Sequence, residues 1–158
     1  MTILQLKRTI SNATKVSDAV TIASLSSLAS AAYSAPSTLI DNTPANGYGL
    51  SFTSGLLRLS LSAALTAGSG APYVTAFLIK AADGTNLANP PGTSATAPAP
   101  NAYQVVRQVV AGAAFSVLDF PELALDPELY GIQLYNGSGV AFSGTATLTL
   151  YRWNLQEA

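Results

Sequence analysis

The stretch "GLLRLSLSA" alternates without a break: Leu57, Leu59, Leu61 and Ala63 fall on one side, Arg58, Ser60 and Ser62 on the other. A period of two is the signature of a pleated strand, whose successive side chains point to opposite faces. One face is thereby assigned to a core and the other to solvent. "GTATLTLYRW" repeats the pattern, with Ala146, Leu148 and Leu150 opposing Thr145, Thr147, Thr149, Tyr151 and Trp153. Threonine suits the solvent side of a pleated surface. "PYVTAFLIKAADGT" sets Val74, Ala76 and Leu78 against Tyr73, Thr75, Phe77 and Ile79. Both of its faces are substantially apolar, which predicts a central strand or one that faces a partner subunit.

Further strands are expected in "TILQLKRTI" near the start, at Tyr33 to Ile40, Gly49 to Phe52, Tyr103 to Val110 and Phe115 to Leu118. In "YGIQLYNGSGVAFSG", Asn136-Gly137 stands between two apolar runs and predicts a hairpin, because both residues tolerate positive φ. The sum is about nine or ten short strands separated by Gly, Pro and Asn, the pattern of a sandwich or barrel rather than of βαβ units. The expected fold is therefore all-β: an antiparallel, jelly-roll-like β-sandwich in a single domain spanning 1–158, with residues 1–18 an N-terminal arm or edge strand. The connection 82–102, "ADGTNLANPPGTSATAPAPNA", carries Pro90, Pro91, Pro98 and Pro100 and has no periodicity. Long connections of this kind are surface loops or binding segments. A proline-rich arm lying on a neighbouring subunit would lose little entropy on docking.

The run "AVTIASLSSLASAAYSAPSTLI", Ala19 to Ile40, has no charge and is long enough to cross a bilayer. Its composition argues otherwise, since Thr21, Ser24, Ser26, Ser27, Ser30, Ser34, Ser37 and Thr38 carry hydroxyls and Pro36 interrupts a helix. Similar uncharged windows recur at Leu59 to Ile79, Gly84 to Val106 and Leu129 to Tyr151, so the run reflects sparse charge overall. As an export signal it begins too late, behind "MTILQLKRTISNATKVSD", and Asp18 stands where a basic flank belongs. Two strands, about Val20 to Leu25 and Tyr33 to Ile40, fit the run, with a short Ser/Ala-rich helix near Leu25 to Ala32 as the alternative.

Charge narrows the function classes. With 7 Lys+Arg against 8 Asp+Glu, and charged residues only 9% of the chain, there is no basic patch to attract nucleic acid or an anionic membrane. The chain holds no cysteine and no histidine. That removes disulfides, thiolate and Ser-His-Asp nucleophilic sites, HExxH zinc sites and histidine-ligated haem.

Few residues are left to carry chemistry. Asp119, Glu122, Asp126 and Glu128 crowd into "LDFPELALDPELY" and could bind Ca²⁺ or act as an acid/base pair on a glycoside. The simpler expectation is helical turns started by Pro121 and Pro127, whose positive ends the carboxylates suit. Gly68-Ser69-Gly70 lacks the strand-to-helix setting and lysine of a phosphate loop and reads as a turn. The tyrosines and Trp153 could stack on sugars, although β-proteins use aromatics in cores and interfaces anyway. No loop stands out as gathering Asp, Asn and aromatic residues together.

"VTIASLSSLASAAYSAPSTLIDNT", "VTAFLIKAADGTN" and "DFPELALDPELYGIQLYNGSGVAFSGTATLTLYRW" together resemble small β-sandwich structural proteins of tailed bacteriophages. The resemblance rests on Ile40, Asp41 and Asn42, on Asp83 and Gly84, on Asn136 to Gly139 and on Ser143 to Tyr151. It implies a non-enzymatic virion protein without cofactor: a capsid cement or decoration protein that binds the outer shell as a homo-oligomer, a trimer being favoured. Its expected partners are its own copies and the major capsid protein or other virion proteins. Its expected location is the virion surface, after synthesis in the host cytoplasm without a signal peptide. The contact residues expected from the two-sided strand and the arm are Tyr73, Phe77, Ile79, Pro90, Pro91, Pro98 and Pro100. The alternative is a tail- or fibre-associated carbohydrate- or receptor-binding module.

Overall fold

The computed structural model describes residues 16–46, 48–49, 51–81, 87, 97–98 and 102–154. Among these residues ten strands run in chain order: β1 Val16–Val20, β2 Ala32–Tyr33, β3 Ile40–Asp41, β4 Ser54–Thr66, β5 Tyr73–Lys80, β6 Tyr103–Gln108, β7 Ala114–Asp119, β8 Leu123–Ala124, β9 Leu129–Gly137 and β10 Ala146–Trp153. They form two antiparallel sheets. Sheet I has the order β1-β10-β4-β7, with β8 also on β4; sheet II has the order β2-β9-β5-β6, with β3 also on β9. The strands called by the period of two lie at the centre of this β-sandwich.

The core sits between the sheets. Leu57 and Leu59 of β4 with Leu148 and Leu150 of β10 come from sheet I, and Val74 and Ala76 of β5 with Ile132 and Leu134 of β9 come from sheet II. Each of these Leu, Ile and Val side chains contributes about 1.5–3 kcal/mol by leaving water. The alternation in β4 holds through Leu61; Ala63 is exposed, because the pairing with β7 shifts register between Ser60 and Leu65.

Several elements differ from the expectation. Asn136-Gly137 forms no hairpin: both residues end β9 in sheet II, and the chain then crosses to β10 in sheet I. Asn136 is instead fully buried, where its Nδ2 donates to the carbonyls of Leu28, Ala29 and Val140 and its Oδ1 accepts from Ser138 N and Oγ. The amide supplies several loop groups at once with the partners a buried backbone requires. Gly139 is the turn residue, at φ 84° with the Gly68 backbone within 2.8 Å of where a Cβ would stand. The Pro-led helical turns at 119–128 are also absent: Leu123–Ala124 form β8 on β4, and Pro127–Glu128 make only a bend, in which Glu128 N donates to the Asp126 carbonyl. Gly49 to Phe52 is irregular where described, and Phe52 is buried without a strand around it.

The uncharged run from Ala19 to Ile40 is not one element. β1 ends at Val20, and a single 3₁₀ turn over Leu25–Ser27 replaces the expected strand to Leu25. Ile22, Leu25 and Leu28 are buried, a spacing of three that suits such a turn. Among the described residues no helix is long and apolar enough to cross a membrane.

From Tyr33 to Ile40 the chain follows β9, but Pro36 divides it into the short strands β2 and β3. Two serines maintain the pairing between them. Ser34 N and Ser37 N donate to the carbonyls of Leu134 and Ile132. In return Leu134 N and Ile132 N donate to the Ser34 and Ser37 hydroxyls at 2.9 Å each. A side-chain oxygen thus takes the place of the backbone carbonyl in the ladder.

Candidate functional site

The outer faces of the two sheets differ in chemistry. Sheet I turns Ser60, Thr147, Thr149, Tyr151 and the exposed Val117 outward, together with Arg58, which holds Asp119 through two bonds of 2.6 and 2.7 Å. That hydrogen-bonded pairing lowers the Asp119 pKa from its ordinary value and raises that of Arg58. Sheet II turns Tyr73, Thr75, Phe77 and Ile79 of β5 outward, in register with Gln104, Val106 and Gln108 of β6 and with Tyr135 and Gly137 of β9. No charged side chain stands at these positions.

Four rings line up across that face. The centroids of Tyr73 and Tyr135 are 5.8 Å apart, those of Tyr135 and Tyr33 4.7 Å, and those of Tyr33 and Phe77 6.0 Å, all tilted. Such offset pairs are favourable beyond their buried area. Register accounts for the row: Tyr33 of β2 pairs with Tyr135, which pairs with Thr75 between Tyr73 and Phe77. Gly137 is the position over which the row closes, since a Cβ there would meet the rings of Tyr73 and Tyr135 at 3.0–3.1 Å. Burial, reinforced by Tyr73, raises the Tyr135 phenol above its ordinary pKa. All four rings are half-buried, and Val106 beside them is exposed.

Of the residues expected at a partner contact, Tyr73 and Phe77 stand in this row. Ile79 does not: it is only 2% exposed. Its register partner Gly131 lies under the side chain of Leu87, which would meet a Cβ there at 2.6 Å, so a described residue of the 82–102 connection already covers this end of the face. Pro98 is half-buried. Pro90, Pro91 and Pro100 lie outside the described residues, as do Asp83, Gly84 and the expected strand in "TILQLKRTI".

The carboxylates of 119–128 do not converge. Asp119 is engaged by Arg58, whereas Asp126 and Glu128 flank Lys80 at 2.8 and 3.2 Å, the bond to Asp126 being the main cause of a raised Lys80 pKa. Glu122 stands exposed before β8. Among the described residues no group of three or more acidic side chains is placed to hold a metal ion. Asp119, Asp126 and Glu128 each pair with a cation instead.

One polar centre was missed in the sequence. Arg152 lies on the inner face of β10, two residues beyond Leu150, and its side chain is only 3% exposed. Nε donates to Asp18 Oδ2 at 2.9 Å, and Nη1 to the Asp41 carbonyl at 2.7 Å and to Asn42 Oδ1 at 3.2 Å. Its guanidinium carbon sits 5.0 Å from the Phe52 ring centre and 6.0 Å from that of Tyr48. The signal was present, because the alternation that buries Leu148 and Leu150 continues to position 152.

Comparisons with protein families, with curated proteins and with solved structures find no match for this chain.

Proposed function

We propose that this chain is a non-enzymatic structural protein of a virion, a capsid cement or decoration protein that works as a homo-oligomer on the outer shell. The observation that carries the reading is the contrast between the two outer faces. Sheet I sets Ser60, Thr147, Thr149 and the Arg58–Asp119 ion pair around Tyr151 and the exposed Val117, while sheet II presents a row of four rings edged by amides with no charge among them. Depletion of charge and enrichment in tyrosine mark the centre of protein–protein interfaces. The occupant proposed for this face is a second copy of the chain. Phenols and the amides of Gln104 and Gln108 both donate and accept, so such a surface can complement a copy of itself without a matching charge pattern. The resemblance of the Ile40-Asp41-Asn42 and Ser143–Tyr151 segments to small phage sandwich proteins supports the assignment to a virion.

The test is co-sedimentation with capsids that lack the protein. Saturable binding at a fixed stoichiometry per capsid is the expected result. A monodisperse monomer in light scattering that also fails to pellet with capsids would overturn the proposal.

A further inference from the structure

The buried arginine also lines a cleft. Between β1, β3 and the loop that follows β3, a depression of about 470 Å³ is bordered by Asp18, Leu39, Asp41, Asn46, Tyr48 and Arg152. That volume lies within the roughly 300–1,000 Å³ of small-molecule sites. Asp41, at the end of β3, and Asn46 and Tyr48 of the loop after it lie within eight positions of one another in the sequence, and the fold brings them round this cleft.

The floor of this cleft is built rather than incidental. Asn42 is fully buried; its Nδ2 donates to the Phe52 and Asp126 carbonyls, each at 2.8 Å, and its Oδ1 accepts from Phe52 N. Arg152 is clamped between Asp18 and Asn42. Asp41 Oδ1 accepts from Thr43 N at 2.8 Å, which fixes the start of the loop. Each carboxylate thus uses one oxygen within the protein and has a second to offer. Tyr48, 47% exposed and edge-on to Phe52 at 5.6 Å, forms an aromatic rim, and Leu39 an apolar one.

We propose that this cleft binds a neutral sugar residue of a glycan. Vicinal hydroxyls would donate to the Asp18 and Asp41 oxygens, and the exposed Tyr48 ring would take the apolar side of the sugar. Two carboxylates against one guanidinium leave a formal excess of negative charge, so sialylated or sulfated sugars would be repelled and neutral ones would not. The site stands at the β1/β3 end of the molecule and goes beyond the assembly role of the sheet II face.

The test is an NMR titration of the full-length protein with neutral galactose-, glucose- and mannose-terminated oligosaccharides and with sialylated counterparts. Tyr48→Ala, Asp41→Asn and, as a control on the other site, Phe77→Glu are measured in parallel. The expected result is saturable shifts at Asn46, Tyr48 and the Arg152 Nε–H with at least one neutral probe, at a Kd on the order of millimolar or tighter. Tyr48→Ala and Asp41→Asn should weaken binding tenfold or more while each variant keeps the dispersed spectrum of a folded protein, and Phe77→Glu should leave it intact. No saturable shift with any neutral probe, binding confined to sialylated probes, or binding that survives both cleft substitutions would overturn the proposal. Loss of binding in Phe77→Glu alone would move the site to sheet II and equally overturn it.

Discussion

Single polar residues buried at the seams of this sandwich determine how its loops close. Asn136 illustrates the point, because one amide bonds three carbonyls while accepting from Ser138. Asn136→Asp replaces the donating amide by an oxygen facing those same carbonyls. We expect a loss of about 3 kcal/mol or more in urea unfolding at neutral pH. Tyr130 gives a prediction with a pH sign. Its hydroxyl donates to the Asp126 carbonyl and accepts from the Asp126 amide, and burial pushes its pKa from 10.0 up to about 12. The neutral phenol is thus favoured in the folded state. Its contribution is fully present below pH 10 and is lost as pH rises through 12, by about 2–3 kcal/mol in all. Tyr130→Phe should therefore be about 1 kcal/mol less stable than the wild type at pH 7. Near pH 12 the order should narrow or invert, as read from denaturant midpoints; a constant difference across that range would contradict the account.

At the scale of elements, what alternation can report and what it cannot are cleanly separated. β4 and β10 were legible because each buries one face against the core, so every second residue carries the signal, while β5, buried on both faces at Val74, Thr75, Ala76, Leu78 and Ile79, was legible from its near-continuous apolar run. The segment along β9 was half legible, since Pro36 breaks the backbone ladder and two serine hydroxyls substitute for carbonyls, a role that composition does not reveal. Asn136-Gly137 misled because the residue pair that favours a two-residue turn is used here separately: asparagine inward to the loops, glycine outward beneath the rings of Tyr73 and Tyr135. The aromatic row itself was only partly readable, because Tyr33, Tyr73, Phe77 and Tyr135 come together through pairing across three strands. The serine ladder is directly testable. Ser34→Ala and Ser37→Ala should each cost about 1–2 kcal/mol, because each leaves a buried β9 amide without its acceptor. Hydrogen exchange should show faster exchange at Leu134 in the first variant and at Ile132 in the second, and unchanged protection at those amides would contradict the substitution of hydroxyl for carbonyl.

For the whole molecule, the proposal gives the two sheets different surroundings. A face of phenols, amides and a valine is stable in water only at the expense of exposed apolar area, which association with a second copy would remove. The central claim is that the outer face of sheet II joins copies of this chain. Sedimentation equilibrium of the wild type, of Phe77→Glu with Tyr135→Glu, and of Val117→Glu with Thr149→Glu on sheet I tests it most directly. The account predicts an oligomer for the wild type and for the sheet I pair, and a folded monomer for the sheet II pair, with an association constant reduced more than about tenfold per introduced carboxylate, or 1.4 kcal/mol each. A wild type that stays monomeric at all concentrations, or a sheet II variant that associates as the wild type does, would contradict it.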